Sequence, residues 1–134
     1  MNENEKVNYV KALMYIALAD DTIDEGEEGY LDQIGTLYGI GGVELRAIKS
    51  SLINKSEKIE DILATITNRS TQLTLIYDLL AICYADDQYS VIEKQGMQDI
   101  CDIMHIEHEK LRALEAAMDE QVELQKKINT LLER

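Results

Sequence analysis

The sequence predicts an all-α protein, and three observations carry the prediction. Apolar residues recur at helical spacing from one end of the chain to the other. No stretch alternates apolar with polar as a half-buried strand does, and no hairpin dipeptide joins two such stretches. The 134 residues contain no Pro, so nothing forces a helix to break. The length suits one domain, 1–134, able to bury roughly two thirds of its unfolded surface.

Seven helices follow in order. Val7, Val10, Leu13, Met14 and Ala17 give the apolar face of the first, over about 4–20. Tyr30, Leu31, Ile34, Leu37 and Tyr38 give the second, over about 25–38, closed by Gly39. Val43, Leu45, Ile48 and Leu52 mark the third. Ser56 is placed as N-cap of a short fourth helix bearing Ile59, Ile62, Leu63 and Ile66. Ser70 is placed as cap of the fifth, which buries Leu73, Ile76, Leu79, Leu80 and Cys83. Ser90 opens the sixth, with Met97, Ile100, Ile103 and Met104. A long seventh runs from about Glu107 to the end, with Leu111, Leu114, Met118, Val122, Ile128 and Leu131.

The chain also repeats itself. Shifted by 66 positions, residues 10–52 fall on 76–118 without a gap, and 11 of those 43 positions are identical. Most of the others keep their apolar character, as in Val10/Ile76, Leu31/Met97 and Leu52/Met118. Two three-helix units, 7–52 and 73–118, are therefore expected to share one core about an approximate two-fold axis. Residues 56–67 connect them, and 119–134 extend the last helix. The extension's apolar stripe, Val122, Leu124, Ile128, Leu131 and Leu132, is expected to fold back as core, with a homodimer or partner surface as the other reading.

Charge limits the function. There are 26 acids against 13 bases, a net charge of −13. Nucleic acid and anionic membranes both demand a surplus of Lys and Arg, so neither is an expected partner. The longest mid-chain apolar run, Leu79 to Ala85, falls far short of the ~20 residues of a membrane span. The start, Met1-Asn2-Glu3-Asn4-Glu5-Lys6, lacks the basic region of a signal peptide. Two isolated thiols, Cys83 and Cys101, suit a reducing compartment. The expectation is a cytoplasmic protein.

The polar identities retained by the repeat point to a site. Both units read Ala-Asp-Asp, then an apolar residue (Ile23 or Tyr89), then Glu27 or Glu93. Asp24-Glu25-Gly26-Glu27 and Ser90-Val91-Ile92-Glu93 each fit a capping box, a device worth about 0.5–2 kcal/mol. Capping does not account for Asp20, Asp21, Asp86 and Asp87. An acid at a helix end meets the negative pole of the dipole and loses about 0.3–1 kcal/mol there. The same local violation twice is a pointer to function, although Asp also tolerates left-handed turns and forms Asx-turns. The first turn is the denser, with Asp20, Asp21, Asp24, Glu25, Glu27 and Glu28 inside nine residues and no base among them. Hard divalent cations take such converging oxygens. The candidate metal ligands are Asp20, Asp21, Asp24, Glu27, Glu28, Asp86, Asp87 and Glu93, for Ca²⁺, Mg²⁺ or Mn²⁺. The bland alternative is a solvated acidic face. An EF-hand is excluded: with Asp20 at position 1, Glu25 stands where Gly is needed and Leu31 where Glu is needed.

At these residues the chain resembles the TerB-like family, the tellurite-resistance TerB proteins and their relatives. The family pattern is Ala-Asp-Gly-x-apolar-x-x-x-Glu between helices of a duplicated all-helical fold. Its counterparts here are Ala19-Asp20-Asp21-Thr22-Ile23-Asp24-Glu25-Gly26-Glu27 and Ala85-Asp86-Asp87-Gln88-Tyr89-Ser90-Val91-Ile92-Glu93. The likeness spans about residues 7–118. It implies a non-enzymatic module linked to tellurite and other chemical stress, with a metal- or partner-binding role for the acidic turns. By position, the motif acids are Asp20, Glu27, Asp86 and Glu93. The motif Gly is replaced by Asp21 and Asp87, which either changes the turn or adds a carboxylate to each site. The chain shows no appended J-domain and reads as a stand-alone module.

Other constellations are weak. His105 and His108 stand three apart and are read as exposed turn residues rather than Zn²⁺ or Ni²⁺ ligands. Cys83 and Cys101 are read as packing residues. No P-loop, dinucleotide fingerprint, nucleophile elbow or paired Glu-x-x-His appears. The expectation is a non-enzymatic module binding a divalent cation through its acidic turns. An acidic adaptor that takes a basic protein partner without metal is the alternative, and a metal-dependent hydrolase is the third reading.

Overall fold

The computed structural model describes residues 2–18, 25–54, 57–85 and 89–133; the side chains of residues 25–28 lie outside that description. Seven helices occur in the described residues: α1 Glu3–Ala17, α2 Glu25–Leu37, α3 Gly42–Ile53, α4 Ile59–Ala64, α5 Arg69–Cys83, α6 Val91–Ile103 and α7 His108–Leu132. The fold is all-α. Helices α1, α2 and α3 begin 66 residues before α5, α6 and α7, and the first two pairs also end 66 apart.

The packing follows the same symmetry. α1 touches α2 and α3 as α5 touches α6 and α7, and α1 meets α6 as α5 meets α2. α1 and α5 pack on each other at the centre, and α4 lies against α1 and α6. Tyr9, Val10, Leu13, Ile16, Leu75, Ile76, Leu79 and Ile82 on the central pair are fully buried. One continuous core therefore serves both units. Neither unit could bury its apolar face alone.

The turns repeat atom by atom. After α2, the Ile40 N–H bonds the Gly35 carbonyl at 2.7 Å; after α6, the Ile106 N–H bonds the Cys101 carbonyl at 2.8 Å. The left-handed residues of these turns are Gly39 (φ 75°) and His105 (φ 56°), again 66 apart. Each of the first helices of the units is capped by an Asn. Asn2 accepts from the Glu5 N–H at 2.8 Å, and Asn68 accepts from the Thr71 N–H at 3.1 Å.

Several sequence expectations need correction. Asn68 caps α5, so Ser70 lies one residue inside the helix. α4 starts after Lys58 with no side-chain cap bond and stops at Ala64, while Ser56 lies outside the described residues. α1 is helical to Ala17, and Leu18 leaves helical geometry at φ −91°, ψ 1°; the expected end at about 20 lies outside the described residues. The α7 extension does not fold back. It continues as one helix to Leu132, with Leu124 57 %, Leu131 74 % and Leu132 77 % exposed. A helix without Pro or Gly after Met118 has nothing to turn it.

His105 and His108 are exposed, and His108 Nε2 sits 2.7 Å from Asp102 Oδ1. Cys83 and Cys101 are fully buried. Burial foremost, then Asp102 and Glu115, pushes the Cys101 thiol up to about 11, which leaves it protonated and inert at neutral pH.

Candidate functional site

Two connections carry the repeated acids, one between α1 and α2 and one between α5 and α6. Asp20, Asp21, Asp24, Asp86 and Asp87 lie outside the described residues, as do the side chains of Glu27 and Glu28. The donors in both turns are carboxylates, with neither His nor Cys among them, which suits a hard, oxygen-ligated cation. Among the described residues no group of three or more His, Cys, Asp or Glu side chains could hold a metal.

Glu93 is the one candidate ligand whose side chain is described. It is 2 % exposed and forms the expected capping box. The Ser90 N–H donates to Glu93 Oε1 at 2.9 Å, and the Glu93 N–H donates to Ser90 Oγ at 3.1 Å. The carboxylate thus fixes the start of α6, immediately after the second acidic turn. Any ligand role for Glu93 must be compatible with that bond.

Two tyrosines flank the second turn. Tyr84 is the C-cap residue of α5, and Tyr89 immediately precedes the Ser90 cap of α6. Their rings lie 5.1 Å apart. Tyr84 donates to Asp119 Oδ1 at 2.9 Å and Tyr89 to Glu115 Oε2 at 2.7 Å, so both are tied to α7. Arg112 donates to the other oxygen of Glu115 at 2.6 Å. The Lys94 ammonium lies 5.4 Å from the centre of the Tyr89 ring. Burial foremost, then the hydrogen-bonded carboxylates, raises both phenols well above the ordinary tyrosine range. They therefore act as neutral donors. Together these groups wall a groove of about 630 Å³ between α6 and α7, with Lys126 on the extension as its far wall. The equivalent groove of the first unit, between α2 and α3, is about 360 Å³ and carries Asp32, Arg46 and Lys49.

Sequence reasoning missed the principal buried polar cluster. Asp78, 8 % exposed, accepts from Tyr9 and from Tyr30, the latter at 2.9 Å. Tyr38 meets Tyr9 edge-on at 5.4 Å. Desolvation, then Asp78, raises the Tyr9 and Tyr30 phenols. The signal was available in the repeat: Asp78 stands where the first unit has Ala12, an acid on a helix face otherwise apolar. Two acceptor oxygens matched by two phenol donors make this a closed structural link, without a free group for chemistry.

No family model and no curated protein matches the chain. A solved structure does. A tellurite resistance protein from Nostoc punctiforme shares the fold at a TM-score of 0.71 and 21 % identity, over 98 % of this chain and 83 % of that one. At that identity the likeness establishes the fold.

Proposed function

We propose that the protein is a non-enzymatic, cytoplasmic TerB-like module in a stress response of the tellurite-resistance kind. Its two acidic turns take up a divalent cation, Ca²⁺, Mg²⁺ or Mn²⁺. The observation that carries this reading is the coincidence of fold and duplication. The fold is that of a solved tellurite resistance protein, and the acid-rich segments join helix pairs whose boundaries correspond at an offset of 66. The residues that would hold the ion are Asp20, Asp21, Asp24, Glu27 and Glu28 in the first turn. Asp86 and Asp87 serve in the second, beside the capped Glu93. The ion would supply charge neutralisation to a connection that otherwise concentrates like charge.

Thermal unfolding of metal-stripped protein tests the proposal, with Ca²⁺, Mg²⁺, Mn²⁺ and Zn²⁺ titrated in turn. A cation bound only by the folded state adds about 2.7 kcal/mol at one hundred times its Kd. The expected result is a rise in midpoint for a hard cation, lost in Asp20→Asn/Asp86→Asn. No rise for any cation sinks the metal reading. The net charge of −13 supports the second reading, an acidic adaptor for a basic protein. That reading predicts partner capture at low salt and release at high salt.

A further inference from the structure

The outer face of α7 has a definite pattern and is exposed from Ala117 onward. Leu114, Ala117, Gln121, Leu124, Ile128 and Leu131 follow the alternating three- and four-residue spacing of a coiled-coil seam. On the opposite side of the helix, Glu115 and Asp119 hold the two tyrosines. From Ala117 onward the seam is exposed, whereas Leu114 at its start is half-buried against the protein's own core. Its two halves differ. Over the body its exposed positions are Ala117 and Gln121, flanked by exposed Ala113; over the extension it is large and apolar, with exposed Leu124, Ile128 and Leu131.

We propose that this face binds a second copy of the chain, α7 against α7 in antiparallel, each extension lying along the body half of its partner's seam. Three observations select that occupant. In this arrangement Ile128 is set opposite the partner's small Ala117, and Leu131 reaches the exposed edge of the partner's half-buried Leu114. Charge agrees as well. Glu120 and Lys127 occupy the flanking positions that face each other across an antiparallel seam, so two reciprocal Glu120 to Lys127 pairs form. A parallel pairing would set Glu120 against Gln125 and Lys127 against Leu132, with no complementarity. The extension is also where a protein of net charge −13 repels itself least, since residues 119–134 hold four acids and three bases. In this register the partner's Met118 falls opposite Lys127, so about 13 Å of helix separates the ends of the two bodies.

Sedimentation equilibrium of the full chain tests this. The expected result is a dimer that Leu124→Glu converts to monomer with unchanged helix content by circular dichroism. E120K alone and K127E alone each set like charges opposite and weaken the dimer by about tenfold or more. Mixed in equal amounts, the two variants recover association, because the E120K chain presents a base at both flanking positions and the K127E chain an acid at both. A wild-type chain that stays monomeric overturns the proposal. So does a dimer indifferent to both charge variants, or a mixture that fails to recover, since a parallel pairing or another surface gives those results. Metal-stripped protein is used throughout, so the outcome is independent of the acidic turns.

Discussion

Tyr9 and Tyr30 of the first unit donate to Asp78, a carboxylate that belongs to the second. Tyr84 and Tyr89 of the second donate to Asp119 and Glu115, on their own unit's last helix. The helices beneath these bonds start at corresponding positions, and the turns repeat the same backbone bonds. The difference shows what duplication preserves and what it releases. Backbone geometry at helix ends is held in common because each unit must present the same apolar faces to one core. Phenol–carboxylate bonds are not held in common, because they answer to local burial. The first pair ties α1 and α2 to α5 across the units. The second pair braces a helix that has grown from the 12 residues of α3 to the 25 of α7.

The sharpest way to break that contrast is to remove the carboxylates. Asp78→Ala removes the carboxylate that accepts from two phenols, one of them fully buried. Each hydrogen bond to a charged group contributes about 1.5–3 kcal/mol, and orphaned buried donors add their desolvation. The expected loss is about 3–5 kcal/mol in urea unfolding, a large part of a domain's total stability. Asp119→Ala removes an exposed partner from Tyr84 and should lose under about 1 kcal/mol. Equal losses would show that the two bond sets do the same work.

Alkaline pH addresses both sets together. Tyr9, Tyr30, Tyr84 and Tyr89 are all raised above the ordinary value of 10.0, by burial first and carboxylates second. Above pH 10 the unfolded chain releases phenol protons that the folded chain keeps. The unfolded state then binds fewer protons, so stability falls as pH rises. Below pH 10 the contribution is present in full. Each tyrosine that stays protonated steepens the loss by about 1.4 kcal/mol per pH unit. Unfolding monitored by circular dichroism from pH 9 to 12 should show the decline begin near 10. Tyr9→Phe and Tyr89→Phe should each make it shallower. A flat profile through pH 11 would mean that the phenols ionise freely.

The skeleton is legible in the sequence because its signals are periodic. The 66-residue offset sets the helix pairs, and Ser90 with Glu93 announces its capping box. The departures come from single residues. Ser70 is a plausible cap by type, but Asn68 is equally good and matches Asn2 at the repeat offset. Both Asn residues lie outside the aligned blocks, which start at residues 10 and 76. Asp78 is hidden because acids normally stay outside, and only a partner elsewhere in the chain makes burial tolerable. The stripe on the α7 extension is apolar and reads as core, yet periodicity cannot say whose core a stripe will join. For the acidic turns, composition and position are legible in the residues. Only the capping role of Glu93 is added by the structure.

The smallest effect isolates a backbone difference between the units. Gly39 and His105 hold the same left-handed position, one at no steric cost and one against the usual penalty for a residue with a Cβ. A Cβ built on Gly39 meets nothing within 4 Å, so packing plays no part in Gly39→Ala. The change should cost about 1 kcal/mol from conformation alone. His105→Gly relieves the same strain but also loosens the unfolded chain, which cancels about 0.4–1 kcal/mol of the gain. The expected net is a stabilisation below about 0.5 kcal/mol, since the exposed imidazole contributes little packing. Chemical denaturation of the two variants side by side reads the comparison. Opposite signs would mean that the two turns share one backbone and differ only in how comfortably their residues adopt it. A loss at His105→Gly as large as that at Gly39→Ala would show that the imidazole holds its turn by contacts, and the two turns would no longer count as equivalent.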